Sequence, residues 1–159
     1  MRVSGPAAAV ATAGLVVAVD QATKQLAATN IAISEEVSVI PGLGLTHTRN
    51  TGVAFGLLSG GGAVVVVIIA VALLALAAYF ATHADKPLLW LPTGLLLGGA
   101  VGNLLDRVRG DAVTDFIDLP LWPPFNVADM AITFGVLSLL YALEAPRARR
   151  RRDDAHEAP

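Results

Sequence analysis

No cysteine occurs among the 159 residues, which excludes disulfides, thiolate zinc sites and cysteine nucleophiles. Charge is also scarce. Asp, Glu, Lys and Arg make up 15% of the chain, against roughly 25% in soluble domains, too little polar surface to cover a water-facing sphere. With 55% hydrophobic residues and a mean hydropathy of +0.64, the chain reads as an integral membrane protein. Its three histidines, His47, His83 and His156, are scattered, with no metal-ligand spacing such as HExxH, so neither a metal nor any other cofactor is expected. The net charge of -2 hides an uneven distribution, because Arg147, Arg149, Arg150, Arg151 and Arg152 hold almost half of the eleven positive charges.

Four apolar stretches organise what is there. Gly62 to Ala81 carries no charge and, at about 1.5 Å per residue, is long enough to cross a bilayer core. Pro87 to Leu105 has Asn103 as its only strongly polar member and spaces Gly94, Gly98 and Gly102 four apart, the small-xxx-small pattern that lets helices approach closely. Two weaker spans are interrupted by charge: Pro6 to about Ala28 by Asp20 and Lys24, and Asn126 to Leu143 by Asp129 near its start. The expectation is an all-α membrane protein of one domain, residues 1–145, with transmembrane helices near 7–28, 62–81, 87–106 and 126–143.

A cleavable signal peptide is the competing reading of the first span, since Arg2 precedes it. Against that, the run continues into VDQATKQL rather than a small-residue cleavage site. Four retained spans put both termini on one side, and Arg2, the His83-Ala84-Asp85-Lys86 connection and the Arg-rich end mark that side as cytoplasmic. Arg49, Arg107 and Arg109 fall on the outer side, against the charge rule, and so need another job. The outer connections are about Thr29 to Gly61 and Arg107 to Phe125. In the first, Glu36 to Ile40 and Leu43 to Arg49 flank the turn residues Pro41-Gly42, which predicts a small β-hairpin or cradle on the membrane surface. Residues 146–159 are expected to form a disordered cytoplasmic tail touching anionic lipid, with no nucleic-acid role.

A charge beside the hydrocarbon region is costly and is retained for pairing or function. Asp20, Asp106 and Asp129, with Asp115 nearby, all fall toward the outer ends of the spans, together with Asn50, Asn103 and Asn126. One layer of carboxylates at one interface favours an enzyme over a transporter, whose ion path needs carboxylates at several depths. A non-enzymatic assembly factor or transporter subunit is the alternative, with the polar residues as interhelical glue.

The strings VDQATK (19–24), THTRNTGVAFG (46–56), GGAVGNLLDRV (98–108), VTDFIDL (113–119) and FNVADMAI (125–132) together resemble the lipoprotein signal peptidase (signal peptidase II) family, in order, from about Asp20 to Leu143. The resemblance implies a bacterial inner-membrane aspartyl endopeptidase of four helices, monomeric, that cuts prolipoproteins on the amino side of a diacylglyceryl-modified cysteine. It assigns Asp115 and Asp129 as the catalytic pair, Asn50, Asn103, Arg107 and Asn126 as substrate-binding, and Asp20 and Asp106 as supporting. Val53 and Met130 stand where the family often has Ala and Ser, and the link between the two catalytic blocks is short.

Two close carboxylates share a proton because both cannot ionise cheaply. One then deprotonates a water while the other hydrogen-bonds the scissile carbonyl. Bland readings stand beside these roles. Asn126 and Asp129 have the spacing of a helix N-cap and an acidic third residue, Asp106 beside Arg107 reads as a structural ion pair at a helix end, and Asp111, Asp118, Glu35 and Glu36 read as solvated.

Overall fold

A computed structural model describes residues 4–51, 62–82 and 89–144. The four apolar stretches are helices: α1 Gly5–Asn30, α2 Gly62–Thr82, α3 Trp90–Gly110 and α4 Val127–Glu144. The polar interruptions do not break them. Asp20 and Lys24 lie inside α1, and α3 runs on past Asp106 and Arg107 to Gly110, four residues beyond the expected end. It stops where Asp111 takes a left-handed conformation (φ 57°) and its N–H bonds to the Arg107 carbonyl, 3.0 Å away, a C-terminal cap. The His83–Lys86 connection, residues 52–56 of the second motif and the Arg-rich end lie outside the described residues.

The hairpin forms as β1 Glu36–Ile40 and β2 Leu43–Asn50, but it is half of a larger sheet. The second outer connection, for which no strand was expected, contains β3 Val113–Leu119 and β4 Trp122–Phe125, and the four strands pair antiparallel in the order β1-β2-β3-β4. Helices therefore do not account for the whole architecture. Three prolines, Pro120, Pro123 and Pro124, masked the second hairpin in the sequence, since proline cannot donate to a ladder; here one sits in the turn and two on the edge strand β4. Thr48 lies opposite Asp115 and Asn50 opposite Val113, so the pairing of β2 with β3 brings residues 63 and 67 positions apart to one place.

Helix α3 is the centre of the bundle. A Cβ at Gly98 would lie 2.7 Å from Val16 Cβ and 2.8 Å from the Ala13 carbonyl oxygen, so α1 and α3 touch backbone to backbone where small residues allow it. Gly102, one turn on, faces Asp20 Oδ2 at a distance a Cβ would close to 2.6 Å. Gly99 faces α4 in the same way, at Ala128 and Ile132. The outer faces are apolar instead: Val10, Leu15, Leu26, Val67, Val71, Leu74, Phe134, Leu137 and Tyr141 are all exposed, while Asp20 and Lys24 are buried. Polar groups inside and apolar groups outside invert the pattern of a water-soluble bundle. Helices α1 and α4 are each long and apolar enough to cross a membrane.

Candidate active site

Three helix ends and the sheet meet at one place, and each supplies side chains to it. Asn126 precedes α4 and caps it: its Oδ1 accepts the Asp129 N–H at 3.0 Å, while Asp129 Oδ2 accepts the Asn126 N–H at 3.2 Å. This reciprocal pair is a capping box. The capping reading of these residues is therefore correct, and it coexists with a second use, because Asn126 Nδ2 still donates to Asp115 Oδ1 at 2.6 Å. The next free N–H of α4, that of Ala128, is taken by Asp20 Oδ1 at 2.9 Å.

Asp115 lies on β3 rather than in a loop and is 2% exposed. Asn50, from the paired strand, donates Nδ2 to its Oδ2 at 2.9 Å. Burial pushes the Asp115 carboxyl up to about 6 from an ordinary value of 3.8. The Asn50 hydrogen bond opposes that rise, the charge of Asp129 adds to it, and the Asn126 bond and the Lys24 charge oppose it again. Asp129 is half-buried, and Asn103 Nδ2 donates to its Oδ1 at 2.8 Å.

Both carboxylates open onto one cavity of about 720 Å³. Asn50, Asn103 and Arg107 complete its polar side, and Trp122, Pro123, Pro124, Phe125, Ile132 and Phe134 form apolar walls. Such a cavity suits an extended chain carrying a large apolar substituent, with water activation confined to the polar side. Asn126 is fully buried behind it, an orienting group between the two acids rather than a lining residue. Arg107 lines the cavity and donates Nη1 to the Asn103 carbonyl at 3.2 Å.

Behind the cavity lies a charge cluster centred on Lys24. Its ammonium contacts Asp20 Oδ2 at 2.8 Å, Asp106 Oδ2 at 3.0 Å and Asn103 Oδ1 at 2.8 Å. Asp106 is thus in a structural ion pair, but with Lys24 of α1 across the bundle, where the sequence had suggested the neighbouring Arg107; it also accepts the Thr114 N–H of β3 at 3.2 Å and Gln21 Nε2 at 2.9 Å. Lys24 and Gln21 were missed as site residues, although the i,i+4 spacing of Asp20 and Lys24 on an apolar helix was a visible signal. Trp122 and its two prolines were missed as cavity walls.

The three arginines on the unexpected side gather at the C-terminal end of α3. Arg49 Nη2 donates to the Gly110 carbonyl at 2.6 Å and Arg109 Nη1 to Gln21 Oε1 at 2.8 Å, cations placed where a helix dipole favours them. Asp111 is exposed as expected, whereas Asp118 is only half-exposed; Glu35 and Glu36 are exposed, Glu36 opening the edge strand β1. His47 is buried with Nδ1 3.0 Å from the Ile31 carbonyl oxygen, away from the two acids.

The family described as Signal peptidase (SPase) II matches residues 12–144. The chain is 47% identical over 141 residues to the lipoprotein signal peptidase of Moorella thermoacetica, a match spanning 87% of this chain and 94% of that protein. It is 42% identical over 127 residues to the lipoprotein signal peptidase of Symbiobacterium thermophilum, covering 76% and 83%. Its fold is similar to that of a solved bacterial membrane enzyme with a TM-score of 0.83, at 36% identity over 89% of this chain and 90% of that one.

Proposed function

The chain belongs to the signal peptidase II family, and from that premise we propose that Asp115 and Asp129 are the catalytic dyad with which it cuts prolipoproteins on the amino side of a diacylglyceryl-modified cysteine. It is an aspartic protease of a bacterial membrane that removes signal peptides from prolipoproteins. The observation that carries the dyad is the cavity: two carboxylates from different elements face one space, held by a shared set of amide donors, one of them strongly desolvated.

In the mechanism, Asp129 takes a proton from a water in the cavity as that water attacks the scissile carbonyl carbon, and Asp115 donates a hydrogen bond to the carbonyl oxygen. The raised value of Asp115 suits the protonated role and the donors around Asp129 suit the ionised one. The tetrahedral species collapses as a proton passes to the leaving amine, without a covalent intermediate. Asn50, Asn103 and Arg107 bind the extended substrate backbone, Asn126 orients both acids, and Asp20 and Asp106 support them. The apolar walls at Trp122 and Phe134 receive the lipid-bearing part of the substrate.

The same reading extends to the membrane. All four helices cross as spans of a single domain, residues 1–145, with both termini and the tail 146–159 in the cytoplasm. The sheet and the dyad lie at the extracytoplasmic face, and the protein works as a monomer in contact with lipid. The exposed apolar belts of α1, α2 and α4 support this, as do the hydrogen bonds by which Arg49, Arg107 and Arg109 serve the fold rather than act as topology signals.

The test is incubation of purified protein with a diacylglyceryl-modified prolipoprotein and with its unmodified form. Release of the signal peptide from the lipidated precursor alone, lost in Asp129→Asn and in Asp115→Asn, is the expected result. Turnover by either variant near the wild-type rate would remove the dyad.

A further inference from the structure

An ammonium group has three donors and no acceptor. All three positions around Lys24 Nζ are filled by oxygens, those of Asp20, Asp106 and Asn103, and the side chain is 4% exposed. Lys24 therefore decides which way round the Asn103 carboxamide sits: the oxygen must face the ammonium, so Nδ2 faces Asp129 Oδ1 at 2.8 Å. A second lock acts in the same sense. The Asp129 N–H fixes Asn126 Oδ1, which turns Asn126 Nδ2 toward Asn103 Oδ1 at 3.2 Å.

We propose that Lys24 is a positioning residue for the cleavage: by occupying the oxygen of Asn103 it obliges that side chain to donate to Asp129, and so keeps Asp129 the ionised, base-competent member of the pair. The inference rests on the dyad reading above. An Asn103 turned the other way would present a carbonyl oxygen to the carboxylate, an arrangement that is satisfied only when Asp129 carries a proton. The charged groups that bear on this are few among the described residues: Asp20 and Lys24 from α1, Asp106 and Arg107 from α3, Asp115 from β3 and Asp129 itself on α4. Lys24 sits where the two acids from α1 and α3 hold it; its hydrogen bond toward the dyad runs through Asn103, while its charge also reaches Asp115.

Lys24→Met alone leaves two buried acids facing each other, so the informative variant is Lys24→Met with Asp106→Asn, which keeps the net charge of the cluster, measured against Asp106→Asn alone. On the lipidated precursor, kcat is expected to fall about tenfold to a hundredfold, the loss of one hydrogen bond to a charged group, with KM little changed. In an Asn103→Ala background, where no carboxamide remains to be turned, the same pair of changes should leave kcat unmoved. A spectroscopic readout reports the turn itself: in ¹⁵N-labelled protein in micelles, the Asn103 side-chain amide signals should move further in the pair variant than in Asp106→Asn alone. A kcat of the folded pair variant equal to that of Asp106→Asn, a further loss of kcat in the Asn103→Ala background, or Asn103 amide signals unmoved by the loss of Lys24 would each overturn the role of Lys24. Failure of the wild-type protein to cut the lipidated precursor would instead overturn the dyad reading.

Discussion

The two halves of α3 pack against α1 by the same geometry and achieve different things. In the half around Gly94 and Gly98 the glycines let Thr12, Ala13 and Val16 of α1 come close to the backbone of α3, and no charged group takes part in the contact. One turn further, at Gly102, the same close approach brings the buried carboxylate of Asp20 to the N-terminus of α4 and its partner Lys24 to Asp106. The difference teaches that close packing here is a means of desolvating charge as much as of gaining dispersion contact. Charges held this way are expensive unless each has its partners, and among the described residues no buried side-chain polar atom lacks one.

The largest expected effect lies at the polar end. Asp115→Asn and Asp129→Asn are nearly isosteric, and each should lower the rate of signal-peptide release about thousandfold or more, since base and acid functions fail together. The double variant should be little worse than either single one, because residues acting as a unit are not additive. Thermal unfolding of the purified variants checks that the fold survives. No substitution confined to the Gly94–Gly98 half should approach this loss of activity per folded molecule, and one that did would erase the distinction between the halves.

Next in size is the pH dependence. With Asp115 at about 6 in the folded protein, kcat/KM should fall as pH rises through that value, about tenfold per unit on the alkaline side. Stability follows with a definite sign. Between 3.8 and about 6 the folded state holds a proton that the unfolded chain has released, so stability falls as pH rises across that window and is level above it. Asp115→Asn should abolish this contribution, giving a flatter plot of Tm against pH. A slope as steep as that of the wild type would locate the titrating group elsewhere.

Most of the polar end was legible in the chain, and the reason is the solvent. In or beside an apolar span each carboxylate or amide is conspicuous, so Asp20, Asn103, Asp106, Asn126 and Asp129 could be read off before their contacts were known, whereas Asn50 and Asp115, on strands, were marked chiefly by the motifs that carry the family resemblance. The partners were not legible to the same degree. Lys24 lies 82 positions from Asp106, and nothing in the local pattern of either helix joins them; only the packing of α1 on α3 does. The placing of Asp115 on a strand was hidden for a different reason, since β3 is stabilised by its register with β2 and by an edge strand rich in proline, neither of which has a periodicity of its own. Helix limits were legible to within a turn, failing most at α3, where two arginines and an acid looked like an exit from the helix and are in fact its last turn.

A smaller effect separates the two halves by substitution of like for like. Gly98→Ala places a methyl group against Val16 and the Ala13 backbone, overpacking that costs about 1 to 3 kcal/mol of stability while the folded enzyme keeps its kcat. Gly102→Ala meets Asp20 Oδ2 instead, displacing a charged group that holds both Lys24 and the Ala128 N–H. It should therefore lower kcat about tenfold at a similar cost in Tm. Steady-state kinetics on the two purified variants makes the comparison, and equal kcat values would show that the charge cluster tolerates displacement.

The smallest effect is expected at Asp111, the acidic residue nearest the site in sequence on the far side of the α3 terminus. Its carboxylate is exposed, and what the position demands is the left-handed backbone conformation that ends the helix, with φ at 57°. Asparagine adopts that conformation at least as readily as aspartate. It also relieves the placement of a negative charge at the negative end of a helix dipole, which Arg49 now offsets through its bond to the Gly110 carbonyl. Asp111→Asn should therefore leave cleavage within about twofold of wild type and raise stability slightly, by about a few tenths of a kcal/mol at most. The substitution makes the same carboxyl-to-carboxamide change as Asp115→Asn only four residues away, so a silent result assigns the loss at Asp115 to its hydrogen-bonded place in the dyad. A large loss of activity at Asp111 would show that the negative field of the whole segment, and not two particular carboxylates, is what the substrate requires.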